Sequence, residues 1–131
     1  MPSGAAPATA PEPATVLEPA PARIDNVAVA SLVDDARAEV SAGRLARAAA
    51  SLERALRIDP RNPHLWQELA RVRLKQGDYA QAESVAARSN SWARGDEQLR
   101  AENWRLIARS REARGDVAGA RAALEAASRQ R

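Results

Sequence analysis

The sequence predicts an all-α protein, an α-solenoid of three helix-turn-helix repeats (six helices) behind a disordered N-terminal tail. Three observations predict it. From Arg23 onward Ala, Arg, Leu and Glu recur with a helical period, and no stretch alternates as a half-buried strand would. A glycine returns in the same setting at Gly43, Gly77 and Gly115, 34 and then 38 residues apart, and periods of this length mark stacked repeats. Five residues after each glycine stands an alanine, Ala48, Ala82 and Ala120, small enough for two helices to cross closely.

The tail comes first. Residues 1–22 hold six of the eight prolines and seven alanines. Proline removes backbone donors and alanine buries little, so the segment reads as a disordered, semi-extended linker. At about 3 Å per residue it would reach on the order of 60 Å. It lacks the basic start and apolar centre of a secretory signal. The folded domain is then 23–131, with repeats at about 29–62, 63–96 and 101–131.

Periodicity predicts helices over 27–42, 45–58, 63–76, 79–90, 97–114 and 117–129. Asn26 and Asp96 are candidate N-caps of the first and fifth, because their side chains can accept from free amide donors. Each repeat glycine supplies the left-handed backbone that ends one helix and lets an antiparallel one begin. Pro60 closes the second helix. The expected core is Leu52, Leu56, Trp66, Leu69, Tyr79, Val85, Trp104 and Ile107. After the fourth helix the pattern loosens. Ser89 to Asp96 reads as a long polar loop that holds the four extra residues of the third spacing. It carries Trp92, either folded over the seam between repeats or exposed as an aromatic anchor for a partner.

Composition narrows the chemistry. The 131 residues include 20 Lys+Arg and 17 Asp+Glu, net +3, and only Lys75 among the basic residues is not Arg. With no Cys, disulfide scaffolds, iron–sulfur sites, zinc knuckles and cysteine nucleophiles are excluded for these residues. His64 stands alone beside Pro63, so no metal site is expected. No glycine-rich phosphate loop or Ser–His–acid set appears. No catalytic residue, cofactor or enzymatic activity is therefore expected. Residues 23–131 carry 20 basic and 15 acidic side chains, but the signs alternate and no two basic residues adjoin, so nucleic acid is not an expected partner. No run approaches the roughly 18 apolar residues of a membrane span.

The glycine repeat, the large residue at a constant place before it (Leu32, Trp66, Trp104), the pairs Asp35-Ala36, Leu69-Ala70 and Ile107-Ala108, and the close Ala55-Leu56-Arg57-Ile58-Asp59-Pro60 together resemble tetratricopeptide repeats. The resemblance implies a right-handed superhelix and a protein-binding groove lined by the first helix of each pair. Candidate partner-binding residues on that basis are Arg37, Gln67, Arg71, Lys75, Arg105 and Arg109, with Trp92 from the loop. Arg37, Arg71 and Arg109 hold the same place in all three repeats, so stacking would align them in a row suited to carboxylates. Asp34, Glu68 and Glu112 would neutralise part of that row. The Lys/Asn clamp of chaperone-binding members is not matched, since Val33, Glu68, Glu102 and Leu106 occupy its places, and heat-shock-protein tail binding is not expected.

The linker-plus-three-repeat layout, the stretch from Leu56 to Pro63 with Leu65-Trp66, and Ser89-Asn90-Ser91 leading to Asn103-Trp104-Arg105 are also similar to the Pseudomonas-type outer-membrane lipoprotein activators of class A penicillin-binding proteins, the LpoP group. That resemblance implies a non-enzymatic module in the bacterial periplasm. It would bind and stimulate a peptidoglycan synthase while tethered to the outer membrane by a lipid anchor that this sequence, lacking Cys, does not contain. The alternative is an assembly chaperone or scaffold for a secretion, pilus or other bacterial complex, periplasmic or cytoplasmic. The Ala-rich C-terminal face, without an obvious polar capping helix, is a candidate dimer or partner contact.

Overall fold

The computed structural model describes residues 19–130, which form six helices: α1 Pro19–Ser41, α2 Leu45–Ile58, α3 Pro63–Lys75, α4 Tyr79–Trp92, α5 Glu97–Ala113 and α6 Val117–Ser128. Most of the expected linker, residues 1–18, lies outside the described residues. Its last four residues instead belong to α1. Pro19 and Pro21 are compatible with this because they fall in the first turn, where amides have no intrahelical acceptor to lose. Asn26 is therefore interior to α1 and is not its N-cap.

The pairs α1–α2, α3–α4 and α5–α6 are joined by one repeated backbone turn. The Gly43 amide donates to the Val40 carbonyl at 3.0 Å and the Arg44 amide to Glu39 at 2.8 Å. Gly77 and Asp78 repeat this with Leu74 and Arg73 (3.0 and 2.9 Å), as do Gly115 and Asp116 with Glu112 and Arg111 (both 2.9 Å). Two orphan carbonyls are satisfied each time, the pattern of a Schellman motif. The three glycines have φ of 79°, 78° and 83°, where an L side chain is strained.

Other ends are secured by side chains. Asn62 Oδ1 accepts from the His64 amide at 3.0 Å, with Pro63 at the first helical position. Asp96 accepts from Leu99 at 3.0 Å, as its sequence position predicts, and Asp116 accepts from Gly119 at 2.9 Å. A Cβ on Gly119 would stand 2.1 Å from the Asp116 carboxylate, so that glycine keeps room for the cap.

The expected long loop after α4 is absent. α4 runs through Trp92, and only four residues, 93–96, separate it from α5, as 59–62 separate α2 from α3. The four extra residues form an additional N-terminal turn of α5, which has 17 residues against 13 in α3. Four residues are close to one 3.6-residue turn, so the insertion lengthens the helix without rotating its apolar face. Ser and Asn did not break α4 because both side chains find buried partners, described below.

Two apolar clusters stack along the solenoid. The first joins Val29, Leu32 and Ala36 of α1 to Leu52, Ala55 and Leu56 of α2 and Leu65, Leu69 and Val72 of α3. The second joins Ala70 and Ala86 to Leu106, Ile107, Ala108 and Ala123. Leu52, Leu56, Leu69 and Ile107 are buried as expected, and Ala48, Ala82 and Ala120 lie at the close crossings. Trp66, Tyr79, Val85 and Trp104 are only half-buried, at the margins of the core.

A Cβ on Gly115 meets no atom within 4 Å, so its substitution isolates the backbone term. Gly115→Ala should destabilise the domain by about 1 kcal/mol, lowering the melting temperature by about 4 °C in calorimetry, with Gly115→Asn costing less because Asn tolerates left-handed backbone.

Candidate functional site

The first helices α1, α3 and α5 stand side by side and bring five of the expected residues onto one surface. A cavity of about 250 Å³ opens between repeats one and two, floored by Ala36, Val40, Leu52 and Val72 and rimmed by Arg37, Glu68, Arg71 and Lys75. A second, about 260 Å³, is bounded by Arg71, Leu74, Lys75, Leu106 and Arg109, and a third, about 220 Å³, by Arg71, Glu102, Arg105, Leu106 and Arg109. Arg71 borders all three, so they form one groove with Arg71 at its centre.

The arginine row is partly neutralised from the neighbouring repeat. Arg37 donates to Glu68 at 2.9 Å, and Arg71 lies 3.8 Å from Glu102. Glu68 raises the Arg37 pKa above its ordinary value, first by accepting its hydrogen bond and then by charge. Arg37 is a cation at every physiological pH in any case. Among the described residues, Lys75, Arg105 and Arg109 make no salt bridge. The groove thus grades from paired charge at repeat one to unpaired positive charge at repeats two and three, a surface suited to carboxylates on a partner.

Gln67 does not join that surface. It is 6% exposed, and its amide nitrogen donates to Asn103 Oδ1 at 3.0 Å and to Glu102 at 3.3 Å, while its carbonyl accepts from Arg71 at 3.2 Å. Asn103 in turn donates to Ser89 Oγ at 2.7 Å and Asn90 Oδ1 at 2.9 Å, and Ser89 donates to the Pro63 carbonyl at 2.8 Å. A continuous polar chain therefore runs from the groove through the interface of repeats two and three. Ser89 stands where repeat one has Ala55, and Asn103 where repeat two has Leu65, so the Ser-Asn departure and a buried Asn are two halves of one network. Pairing between them was not legible in either segment alone.

Trp92 is also apart from the groove. It is the last residue of α4, 40% exposed, with the Arg61 guanidinium 5.5 Å above its ring. Nearby, Trp66 donates from Nε1 to the Pro60 carbonyl at 2.8 Å and carries Arg88 at 5.0 Å over its ring. Both cations follow from the fold and have no local sequence signal. Among the described residues no cluster of three metal-ligating side chains occurs, and no helix is long and apolar enough to cross a membrane.

The tetratricopeptide repeat family matches residues 39–101. The globular C-terminal domain of P. aeruginosa LpoP is 50% identical, with a TM-score of 0.75, over 76% of this chain and 94% of that one. The chain belongs to the tetratricopeptide-repeat proteins of the LpoP type. The N-terminal domain of C. elegans stress-induced protein-1 shares the fold at 16% identity, with a TM-score of 0.74 over 79% of this chain and 84% of its own. No curated protein sequence matches. A member of this family is a protein-interaction module, and the groove is where an LpoP-type domain of this sequence offers unpaired charge.

The buried network gives a sharp test in this LpoP-type chain. Asn103→Leu removes the partner that Ser89, Asn90 and Gln67 share and should cost about 2–3 kcal/mol by denaturant titration. Adding Ser89→Ala should recover part of that loss, whereas independent sites would simply add. At the surface, Trp92→Ala should leave the melting temperature within about 2 °C by the same arithmetic of exposed positions.

Proposed function

We propose that this chain is the protein-binding domain of a periplasmic, outer-membrane-tethered activator that docks on a class A penicillin-binding protein and stimulates its peptidoglycan synthesis. The observation that carries the reading is the 50% identity with the LpoP domain across 94% of that domain's length. The electrostatics of the groove support it. Lys75, Arg105 and Arg109 stand unpaired beside apolar Leu74 and Leu106, which suits an acidic, partly aliphatic surface on a partner. The domain would act by binding alone, favouring the active conformation of its partner through differential affinity. Arg37, Arg71, Lys75, Arg105 and Arg109 are the residues assigned to contact, and Trp92 is an anchor outside the groove.

The direct test is glycan polymerisation by a class A synthase with and without the full chain. Turnover should rise on addition and the chain should have none of its own. A chaperone or scaffold would bind without changing turnover. Arg71→Glu and Arg109→Glu should each weaken synthase binding by about tenfold, roughly 1.4 kcal/mol, in surface plasmon resonance. Arg47→Glu, exposed on α2 away from the groove, should stay within about twofold. Equal behaviour of the three would remove the arginine row from the interface. In the native gene product, mass spectrometry should find a lipid-modified Cys ahead of the Ala/Pro segment; an unmodified N-terminus there would remove the tether.

A further inference from the structure

The last repeat leaves open a face that a following helix covers in each of the first two repeats. Aligned on the glycines, Ala36, Leu45 and Leu52 of repeat one correspond to Ala70, Tyr79 and Ala86 of repeat two and to Ala108, Val117 and Leu124 of repeat three. In repeat one, α3 covers this surface and Leu52 is 1% exposed; in repeat two, α5 covers it and Ala86 is buried. In repeat three, Leu124 is 53% and Val117 62% exposed. They open on a hollow of about 240 Å³ that also borders Arg109, Glu112, Ala120 and Arg121.

The covering helices share a second feature. Each delivers a carboxylate to the arginine of the repeat beneath it: Glu68 of α3 to Arg37 at 2.9 Å, and Glu102 of α5 to Arg71 at 3.8 Å. The third arginine of the row, Arg109, receives none among the described residues. The exposed apolar side chains and the unanswered arginine occupy the register at which a further first-type helix would pack.

We propose that this end face docks an amphipathic helix of a partner protein, one that places a carboxylate on Arg109 and aliphatic side chains against Val117 and Leu124. Charge favours such a helix over a second copy of the same face. The hollow presents Arg109 and Arg121 against Glu112 alone, so two copies face to face would bring an excess of cations together. Contact through apolar positions spaced three and four residues apart, with one charge in register, is the usual helix-in-groove geometry. The inference does not depend on which protein supplies the helix.

The probe is a synthetic peptide of residues 62–76 of this chain, which contains the α3 segment that covers the equivalent face of repeat one. Titrated into the isotope-labelled full chain, it should give saturable amide shifts at Arg109, Val117, Ala120 and Leu124. Leu124→Asp in the protein should weaken binding at least tenfold. A peptide carrying Glu68→Arg should bind at least fivefold more weakly and recover against Arg109→Glu protein. Absence of saturable shifts at millimolar peptide overturns the proposal, as do shifts centred on α1 and α2 or a charge swap without recovery. Sedimentation supplies the remaining arm: self-association abolished by Leu124→Asp would make the face a contact between copies and overturn the partner helix. Because no synthase is present, failure here leaves the activator reading standing. Conversely, loss of synthase stimulation by Arg71→Glu, which lies outside the hollow, with peptide binding to the Leu124 face intact isolates the groove.

Discussion

The left-handed residue that ends each first helix is the constraint on which the rest of the molecule depends. It allows the chain to reverse within three residues and satisfies two carbonyls that would otherwise be orphaned. Reversal at a constant place makes each repeat a rigid helix pair, and rigid pairs can stack only along the faces they share. The alanines five residues on set how closely each pair approaches. From those two local facts follow the side-by-side first helices, the groove between them and the alignment of one arginine per repeat.

The two seams of the stack are built differently. Between repeats one and two the contact is apolar, Leu52 and Leu56 against Leu65, Leu69 and Val72, with Arg73 bound to Glu53 at 2.9 Å. Between repeats two and three the middle is polar, with Asn103, Ser89 and Gln67 all buried and mutually bonded. Arg111 holds Glu83 at 2.9 Å on its outer side, and Arg114 shares that carboxylate. An apolar seam tolerates sliding better than a hydrogen-bonded one, because amide partners are directional and a lost partner is costly in a dry interior. The second seam accordingly defines the angle between the repeats that carry the unpaired groove cations.

Periodicity and punctuation were enough to read the architecture: the glycines, Pro60 and the Asp96 cap all do what their residue types dictate. Two departures from local preference share a cause. Pro19 and Pro21 and the Ser89-Asn90 pair disfavour helix by residue type, but that preference is weak at a first turn and is reversed where a buried partner waits. Asn103 and Ser89 are 14 residues apart, and their pairing exists only after two helices have packed. The same limit explains Gln67, whose place on a first helix suggested the groove until Asn103 turned it inward. Arg37, Arg71 and Arg109 were legible as a row because repetition itself records their alignment. Their counter-charges, supplied by the next helix, were only half legible.

One asymmetry of composition has a practical meaning in three dimensions. Of the 20 basic side chains only Lys75 is a primary amine, and it stands on the groove rim between two cavities. Nineteen guanidinium groups are inert to mild acylating agents, whereas an exposed amine reacts. The molecule therefore carries a single intrinsic side-chain reporter at the surface assigned to its partner, and protection of that one nitrogen from acylation reads groove occupancy without any added label.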